Sequence, residues 1–558
     1  MSSSNRITSI LRRLGYEQFR PGQGEVVSAL LEARDVLAVL PTGAGKSLTY
    51  QLISQLLPGV TVVVSPLIAL MKDQAESLKD RGVEVALINS AQSEREAEEE
   101  LEEVEQEESK LLYVTPERFD NDEFMSTMED VDVSLLVVDE AHSVSEWGHD
   151  FRPAYLALGK VAENLGRPPI LALTATAAPW VRREIIERLG MQDPRVVVKG
   201  IYRPNLHLEV VRVENESEDR RVLEQLLAVP DDLGNGRDEQ RLPPVAGSGI
   251  IYTATTKAAE ETAEWLQEWG VPADYYHGQR KKAEREHAQE AFMSGQVRVI
   301  VATNAFGLGI DKPDVRFVIH RDTPGSVESY YQEAGRAGRD GAPARCILIY
   351  RAADLGRAAF LSGGGRLSRE DVIKAHKVLR QVQGVTLDQL VSRSGLSQAD
   401  AIRLATLLEK QGVLTAEGDN LRLLSPDFDP DQVSLDQEDH RQAYERSRLD
   451  MMRGYAELDE CRWEYLLNYF GEEFQAERCG RCDKDLARER ASGAVAESED
   501  LMNSPFSMGE DVVHETLGHG VVQRIGRDSV TVLFDKAGYK TLSVDHVVER
   551  ELLRKVTT

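Results

Sequence analysis

Cysteine is scarce in this chain: four among 558 residues. So few cannot form a disulfide framework, which excludes a disulfide-stapled secreted scaffold and implies a reducing compartment. Long apolar runs are missing as well, and none approaches the roughly 20 residues that a membrane helix needs. The start, Met1-Ser2-Ser3-Ser4-Asn5-Arg6, is polar and leads into an amphipathic stretch, with no signal-peptide pattern. These absences imply a cytoplasmic protein without a membrane partner. Positive charge is the third shortage, with 66 Lys+Arg against 94 Asp+Glu, a net charge of −28. That excludes a generally basic, phosphate-coated surface but leaves room for a local basic channel. Ten of the glutamates fall between Glu94 and Glu108, which reads as a solvated helix.

What the chain does have is length and alternation. At about 150 residues per domain it holds three to four domains. Short, apolar, mostly β-branched runs at 36–40, 60–65, 111–115, 133–138 and 170–174 are separated by helical patterns. Buried strands spaced by helices mean a parallel sheet covered on both faces. The alternation restarts at Gly249-Ile250-Ile251-Tyr252 and continues through 297–303, 315–320 and 345–350, after an Asp-, Gly- and Pro-rich boundary at 214–248. The fold class is therefore α/β, with two such lobes at 1–205 and 206–355 and a cleft between them. The texture then turns helical. Residues 366–425 outline a helix-turn-helix with a wing. Residues 440–488 hold three of the four cysteines, 489–504 read as a linker, and 505–558 alternate as a small SH3/Tudor-like β-barrel.

Two motifs carry chemistry. Strand 36–40 runs into Pro41-Thr42-Gly43-Ala44-Gly45-Lys46-Ser47 and then a helix. In such a loop backbone N–H groups cradle phosphates, the lysine reaches the β and γ groups, and the serine hydroxyl ligates Mg²⁺. The strict pattern has glycine six residues before the lysine, where this chain has Leu40. At the end of strand 135–138 stand Asp139-Glu140-Ala141-His142, where a carboxylate points into the crevice of an open α/β sheet. Asp139 is expected to hold Mg²⁺ and Glu140 to orient and deprotonate the attacking water.

These two motifs, with Thr174-Ala175-Thr176 and Gln332-Glu333-x-Gly335-Arg336-Ala337-Gly338-Arg339, resemble those of superfamily 2 helicases. The resemblance sharpens to the RecQ family. Phe19-Arg20-Pro21-Gly22-Gln23 is similar to its adenine-reading motif, Trp147-Gly148-His149-Asp150-Phe151-Arg152-Pro153 to its aromatic-rich loop, and Ala302-Thr303 with Phe306-Gly307-Leu308-Gly309-Ile310 to its motif V. The resemblance implies two RecA-like lobes that bind ATP and Mg²⁺ between them. ATP contacts then come from Tyr16, Arg20, Gln23, Thr42, Gly43, Gly45, Lys46, Ser47 and Asp139. It implies that Lys46, Glu140, Arg336 and Arg339 carry the catalysis, with Arg339 as arginine finger. DNA contact and its coupling to hydrolysis fall to Trp147, His149, Phe151, Arg152, Thr174 and Thr176, although composition alone equally allows Trp147 and Phe151 to pack internally. The implied activity is ATP-dependent 3′→5′ unwinding of single-stranded and branched DNA in repair and recombination, by a nucleoid-associated monomer. An ATP-driven translocase or RNA remodeller on the same core is the rival, and a transcription-associated adaptor is a third reading.

Cys461, Cys479 and Cys482 stand in a segment that closely resembles the RecQ zinc-binding subdomain. That family has a fourth cysteine three residues on, where this chain has Asp485. Carboxylate oxygen ligates zinc, so a Cys₃Asp site for Zn²⁺ is expected, with a metal-free, degenerate subdomain as the alternative. Two features depart from the family. The winged-helix-like segment precedes the cysteines instead of following them, and its second helix offers only Arg403 and Lys410 for contact with DNA or with protein. The tail around Val513-His514-Glu515-Thr516-Leu517-Gly518-His519-Gly520 resembles the small barrel that ends UvrD/PcrA-type helicases. That likeness implies a partner such as RNA polymerase, beside the plainer reading of a solubilising barrel.

Overall fold

The computed structural model describes residues 3–89, 109–145, 152–227, 243–307, 312–356, 367–381, 384–417, 420–424, 428–472, 478–491, 505–526 and 529–556, with 92, 95–97, 100, 104, 310 and 474 besides. The first lobe is a seven-stranded sheet in the order Val85–Ile88, Leu111–Val114, Val60–Val64, Val133–Val138, Ile170–Thr174, Val36–Val39, Arg195–Val198, with every pairing parallel. Its inner strands are apolar on both sides because both faces are covered. With the two-residue period of a strand, Val36, Ala38 and Leu40 enter one core layer while Leu37 and Val39 enter the other.

The second lobe is a six-stranded parallel sheet in the order Ala273–Tyr276, Val299–Ala302, Ser248–Tyr252, Val315–His320, Ala344–Tyr350, Leu206–Arg212. Composition misleads at its start. The segment 214–248 begins with the helix Glu216–Leu227, whose Val222, Leu223, Leu226 and Leu227 are buried against this sheet. The Asp, Gly and Pro residues that mark the segment as a boundary fall almost entirely after this helix. Residues 228–242 of that segment lie outside the described residues.

The third part comprises the helices Arg369–Gln381, Leu387–Ser394 and Gln398–Lys410 with a three-stranded antiparallel sheet, Val385–Thr386, Asn420–Leu423 and Leu414–Glu417. Arg403, the arginine of the last of these helices, is paired with Asp400 and, at 3.6 Å, with Glu438. Three more helices follow: Asp436–Glu457, Arg462–Phe470 and Asp483–Ala491. The last of them extends into the segment read as a linker, the rest of which lies outside the described residues. The C-terminal part is a five-stranded antiparallel sheet in the order Gly538–Ser543, Ser529–Phe534, Gly518–Ile525, Asp511–His514, Leu553–Lys555, closed over Phe506, Val522, Val532 and Phe534.

This C-terminal sheet is docked. Trp180, on the first-lobe helix Pro179–Arg188, donates its indole N–H to Tyr539 Oη at 2.8 Å and meets Tyr444 edge-on at 5.1 Å. Tyr539 also lies 3.4 Å from the Tyr469 hydroxyl, which donates in turn to Glu328 of the second lobe. One continuous apolar cluster joins a face of each lobe to the helices 436–470. Of the glutamate-rich run, Ala97 and Val104 are buried in that cluster and Glu100 accepts from Leu87 N. Among the described residues no helix is long and apolar enough to cross a membrane.

Candidate active site and metal centre

The order of the first sheet places Val133–Val138, Ile170–Thr174 and Val36–Val39 side by side, so three motifs leave its C-terminal edge together. The phosphate loop is built on glycine: Gly43 and Gly45 have φ of +79° and +74°, which a β-carbon disfavours. Lys46 opens the helix Lys46–Ser54, and its Nζ is 3.3 Å from Leu40 O. Ser47 Oγ accepts from Gln74 Nε2 at 3.0 Å, and Gln74 Oε1 in turn accepts from the hydroxyls of Tyr50 and Tyr113, both at 2.8 Å. Sequence reasoning passed over Gln74 because nothing in its own helix marks it.

Gln23 and Arg20 are folded onto the same loop. Gln23 Nε2 donates to Ala44 O and Gly45 O, both at 2.8 Å, while Arg20 donates to Gly43 O. Tyr16 lies exposed at the rim.

Asp139 is buried, and its carboxyl is pushed up to about 7 by burial and by Glu140, against the opposing pull of Lys46. Glu140 takes a left-handed φ of +48°, and its Oε2 lies 3.4 Å from His142 Nδ1. His142 Nδ1 is 3.0 Å from Thr174 Oγ1, which also accepts from Thr176 N at 3.2 Å, so the strand-end acids and the Thr174-Ala175-Thr176 turn form one hydrogen-bonded group. Tyr155 Oη donates to Asp139 O at 3.0 Å. Arg152, three residues before Tyr155, has its N–H on Ser143 O at 3.1 Å. Trp147, His149 and Phe151 lie outside the described residues.

From the second lobe, Arg339 reaches across the cleft. A β-carbon on Gly43 would stand 3.3 Å from Arg339 Cγ, and Arg339 Nη1 donates to Ile310 O at 2.6 Å. Arg336 is turned the other way, buried and donating to Gly307 O.

A second centre stands at the starts of the helices Arg462–Phe470 and Asp483–Ala491. The ligand atoms of Cys461, Cys479, Cys482 and Asp485 all lie within 4.8 Å of one another, and all four residues are buried. A tetrahedral zinc with Zn–S near 2.3 Å sets its sulfurs about 3.8 Å apart, so this donor set fits zinc with slight contraction. The three thiols are hydrogen-bonded to one another, which pulls Cys482 below the ordinary thiol range and pushes Cys461 and Cys479 above it. Asp485 Oδ2 accepts from Cys479 N at 2.9 Å and Gly480 N at 3.2 Å, which fixes the turn around the sulfurs. The remaining cysteine, Cys346, is buried in a strand, where burial pushes its thiol up to about 12.

Two parallel sheets, with a phosphate loop on one and Arg339 reaching that loop from the other, define a nucleoside-triphosphate-driven motor of the helicase class. In agreement, the DEAD/DEAH box helicase family matches residues 20–184 and the helicase conserved C-terminal domain matches 244–341. The RecQ zinc-binding family matches 398–486, which takes in the last helix of the winged-helix-like segment. The chain is 35% identical over 502 residues to the ATP-dependent DNA helicase RecQ of Synechocystis sp., covering 87% of this chain and 99% of that one. This chain belongs to the RecQ family of ATP-dependent DNA helicases. It is 43% identical over 360 residues to the RecQ of Bacillus subtilis, where it spans 58% of the relative's length and the match takes in 64% of this chain. The DNA-bound helicase MrfA shares the fold at a TM-score of 0.50 and 18% identity, over 78% of this chain and 65% of that one.

Proposed function

We propose that this chain is an ATP- and Mg²⁺-dependent DNA helicase that moves 3′→5′ on single-stranded DNA and opens duplex and branched DNA for repair and recombination. The observation that carries the reading is the stem of Arg339 lying over Gly43 of the phosphate loop, because it brings an arginine of one lobe to the nucleotide site of the other. In this reading the N–H groups of the 42–47 loop and Lys46 bind the ATP phosphates. Ser47 and Asp139 would hold Mg²⁺, which supplies neutralisation of phosphate charge. Glu140 orients and deprotonates the attacking water, and Arg339 offsets the charge that develops on the transferred group. Arg336 serves the lobe-2 side by holding the 307 loop. Tyr16 stacks on the base. Gln23, whose amide holds the loop carbonyls, reports an occupied adenine pocket to the loop.

Closure of the lobes on ATP and their release on hydrolysis would supply the stroke. His142 with Thr174 and Thr176 ties Glu140 to the helix Pro179–Arg188, and Arg152, at the end of the aromatic-rich loop, enters from the DNA side. Zn²⁺ held by Cys461, Cys479, Cys482 and Asp485 is a structural ligand, since four protein donors leave no open position. The Arg403 pairs with Asp400 and Glu438 favour a structural or protein-contacting role for the third part over DNA contact. The C-terminal sheet is where a protein partner would bind.

ATP hydrolysis stimulated by single-stranded DNA, and unwinding of forked DNA with a 3′ tail, test the proposal. Glu140→Gln is expected to bind ATP and to lose both activities; wild-type turnover in that variant, or stimulation by RNA alone, would overturn it.

A further inference from the structure

The segment that joins the two sheets, 199–205, is tied to the loop that carries the two arginines. Arg203 Nη1 donates to Gly335 O at 2.7 Å, and its Nη2 donates to Ala337 O at 2.9 Å and Gly338 O at 2.6 Å. Asn205 Nδ2 donates to Gly338 O at 2.8 Å and Ala342 O at 3.0 Å. Tyr331, on the second-lobe helix Val327–Ala334, donates from its hydroxyl to Ile201 O at 2.7 Å. The three carbonyls gripped by Arg203 belong to the end of the helix Val327–Ala334 and to the turn after it. They bracket Arg336 and directly precede Arg339.

Elementary chemistry explains the choice of residue. A helix leaves its last carbonyls unsatisfied and carries partial negative charge there, so a cation at that end is favourable. The planar guanidinium fork bonds several diverging acceptors at once, which the single ammonium of lysine cannot copy. Gly338 completes the fit. It has φ of +56°, and a β-carbon there would run into Asn205 Nδ2 and Ala342 O, so the approach of the linker needs glycine. At its other end the linker is continuous with the first lobe. Lys199 N bonds Val39 O at 3.2 Å, on the strand that feeds the phosphate loop.

We propose that Arg203 is a positioning residue for ATP hydrolysis. By holding the carbonyls of Gly335, Ala337 and Gly338 it sets the turn from which Arg339 enters the nucleotide site, and Asn205 is its second hold. The linker thereby becomes the part that aligns the arginine with the phosphate loop. This rests on the reading of Arg339 as the finger.

The test compares the full-length, zinc-loaded wild type with Arg203→Ala, Arg203→Lys and Asn205→Ala, each alone and in an Arg339→Ala background. DNA-stimulated kcat is expected to fall about 10- to 100-fold in both Arg203 variants, the scale of a misplaced catalytic group. The fall for Asn205→Ala should be smaller. KM for ATP, affinity for single-stranded DNA and zinc per chain are expected to stay as in the wild type. In the Arg339→Ala background the same substitutions should cost little more, because the residue they position is already gone. Multiplicative losses there, or an unchanged kcat in Arg203→Ala, would overturn the proposal and leave the finger reading standing. A wild-type rate in Arg339→Ala alone would overturn the finger reading and the proposal with it. Should the Arg203 variants fail to fold, Asn205→Ala decides by the same comparison.

Discussion

Replacing Asp485 separates its two jobs, closing the metal site and accepting the N–H groups of Cys479 and Gly480. Asp485→Asn keeps an acceptor oxygen but removes the charge. Hydrogen bonds to a charged acceptor are worth about 1.5–3 kcal/mol and neutral ones about 0.5–1.5 kcal/mol. Two bonds, at 2.9 and 3.2 Å, would each lose about half their worth. The sum is about 2–3 kcal/mol, or about 30- to 150-fold in zinc affinity. Asp485→Ala gives up both bonds, about 3–6 kcal/mol by the same reasoning, and loses the ligand besides. Asp485→Cys supplies the fourth thiolate that the family resemblance implies and should hold zinc more firmly than the wild type, because sulfur is the softer donor. Competition against a chromophoric chelator, with zinc per chain from elemental analysis, should rank the proteins Cys, Asp, Asn, Ala from tightest to weakest. Equal zinc retention by all four would refute the assignment of Asp485 as a ligand.

Asp139 and Asp35 extend the reasoning. The folded-state carboxyl of Asp139 titrates near 7 against an ordinary 3.8, so the folded protein holds a proton that the unfolded chain has released. The stability this proton contributes is full below about pH 4 and is lost as pH rises towards and through 7. Metal-free wild type should therefore lose melting temperature relative to Asp139→Asn between pH 5 and pH 8, and Mg²⁺ should bind the wild type more tightly as pH rises over the same range; parallel melting curves would refute both. Asp35 is a buried hub that accepts from Arg167 Nη2 at 2.7 Å, Ile170 N at 2.8 Å and Gln192 N at 2.6 Å. Asp35→Ala should destabilise the first lobe by about 3 kcal/mol, as when one partner of a buried pair is removed, and Asp35→Asn by less. Thermal melting measures both, and an unchanged Asp35→Ala melt would refute the hub.

Legibility in the sequence followed the physics of burial. The central strands of both lobes announce themselves because a strand covered on both faces has no polar side, as at Val60–Val64 and Val133–Val138. The edge strand Arg195–Val198 does not, since Arg195 and Val196 are exposed. The strand Leu206–Arg212 was hidden differently: its sheet partner, Ala344–Tyr350, lies far along the chain, and no local pattern shows such a pairing. At the nucleotide site the loop and strand-end acids were readable because their backbone needs special residues at fixed spacings. Gln74, Arg203 and Asn205 were not, because each acts through carbonyls or hydroxyls brought near only by the fold. Asp485 was legible only against a family pattern, where its position told more than its chemistry. The docking of the C-terminal sheet on Trp180 left no mark in either partner.

That docking has a temporal side. Trp180 and Tyr539 are separated by 359 residues, and a ribosome adds about 5–20 residues per second. For about 20–70 s of each synthesis, therefore, the helix Pro179–Arg188 stands with its indole N–H and aromatic flank uncovered while the rest of the chain is being made. Tyr444 arrives partway through and shields one edge of the ring; the phenol that completes the seat comes almost last. A nascent chain arrested before residue 539 would lack the phenol that closes over Trp180.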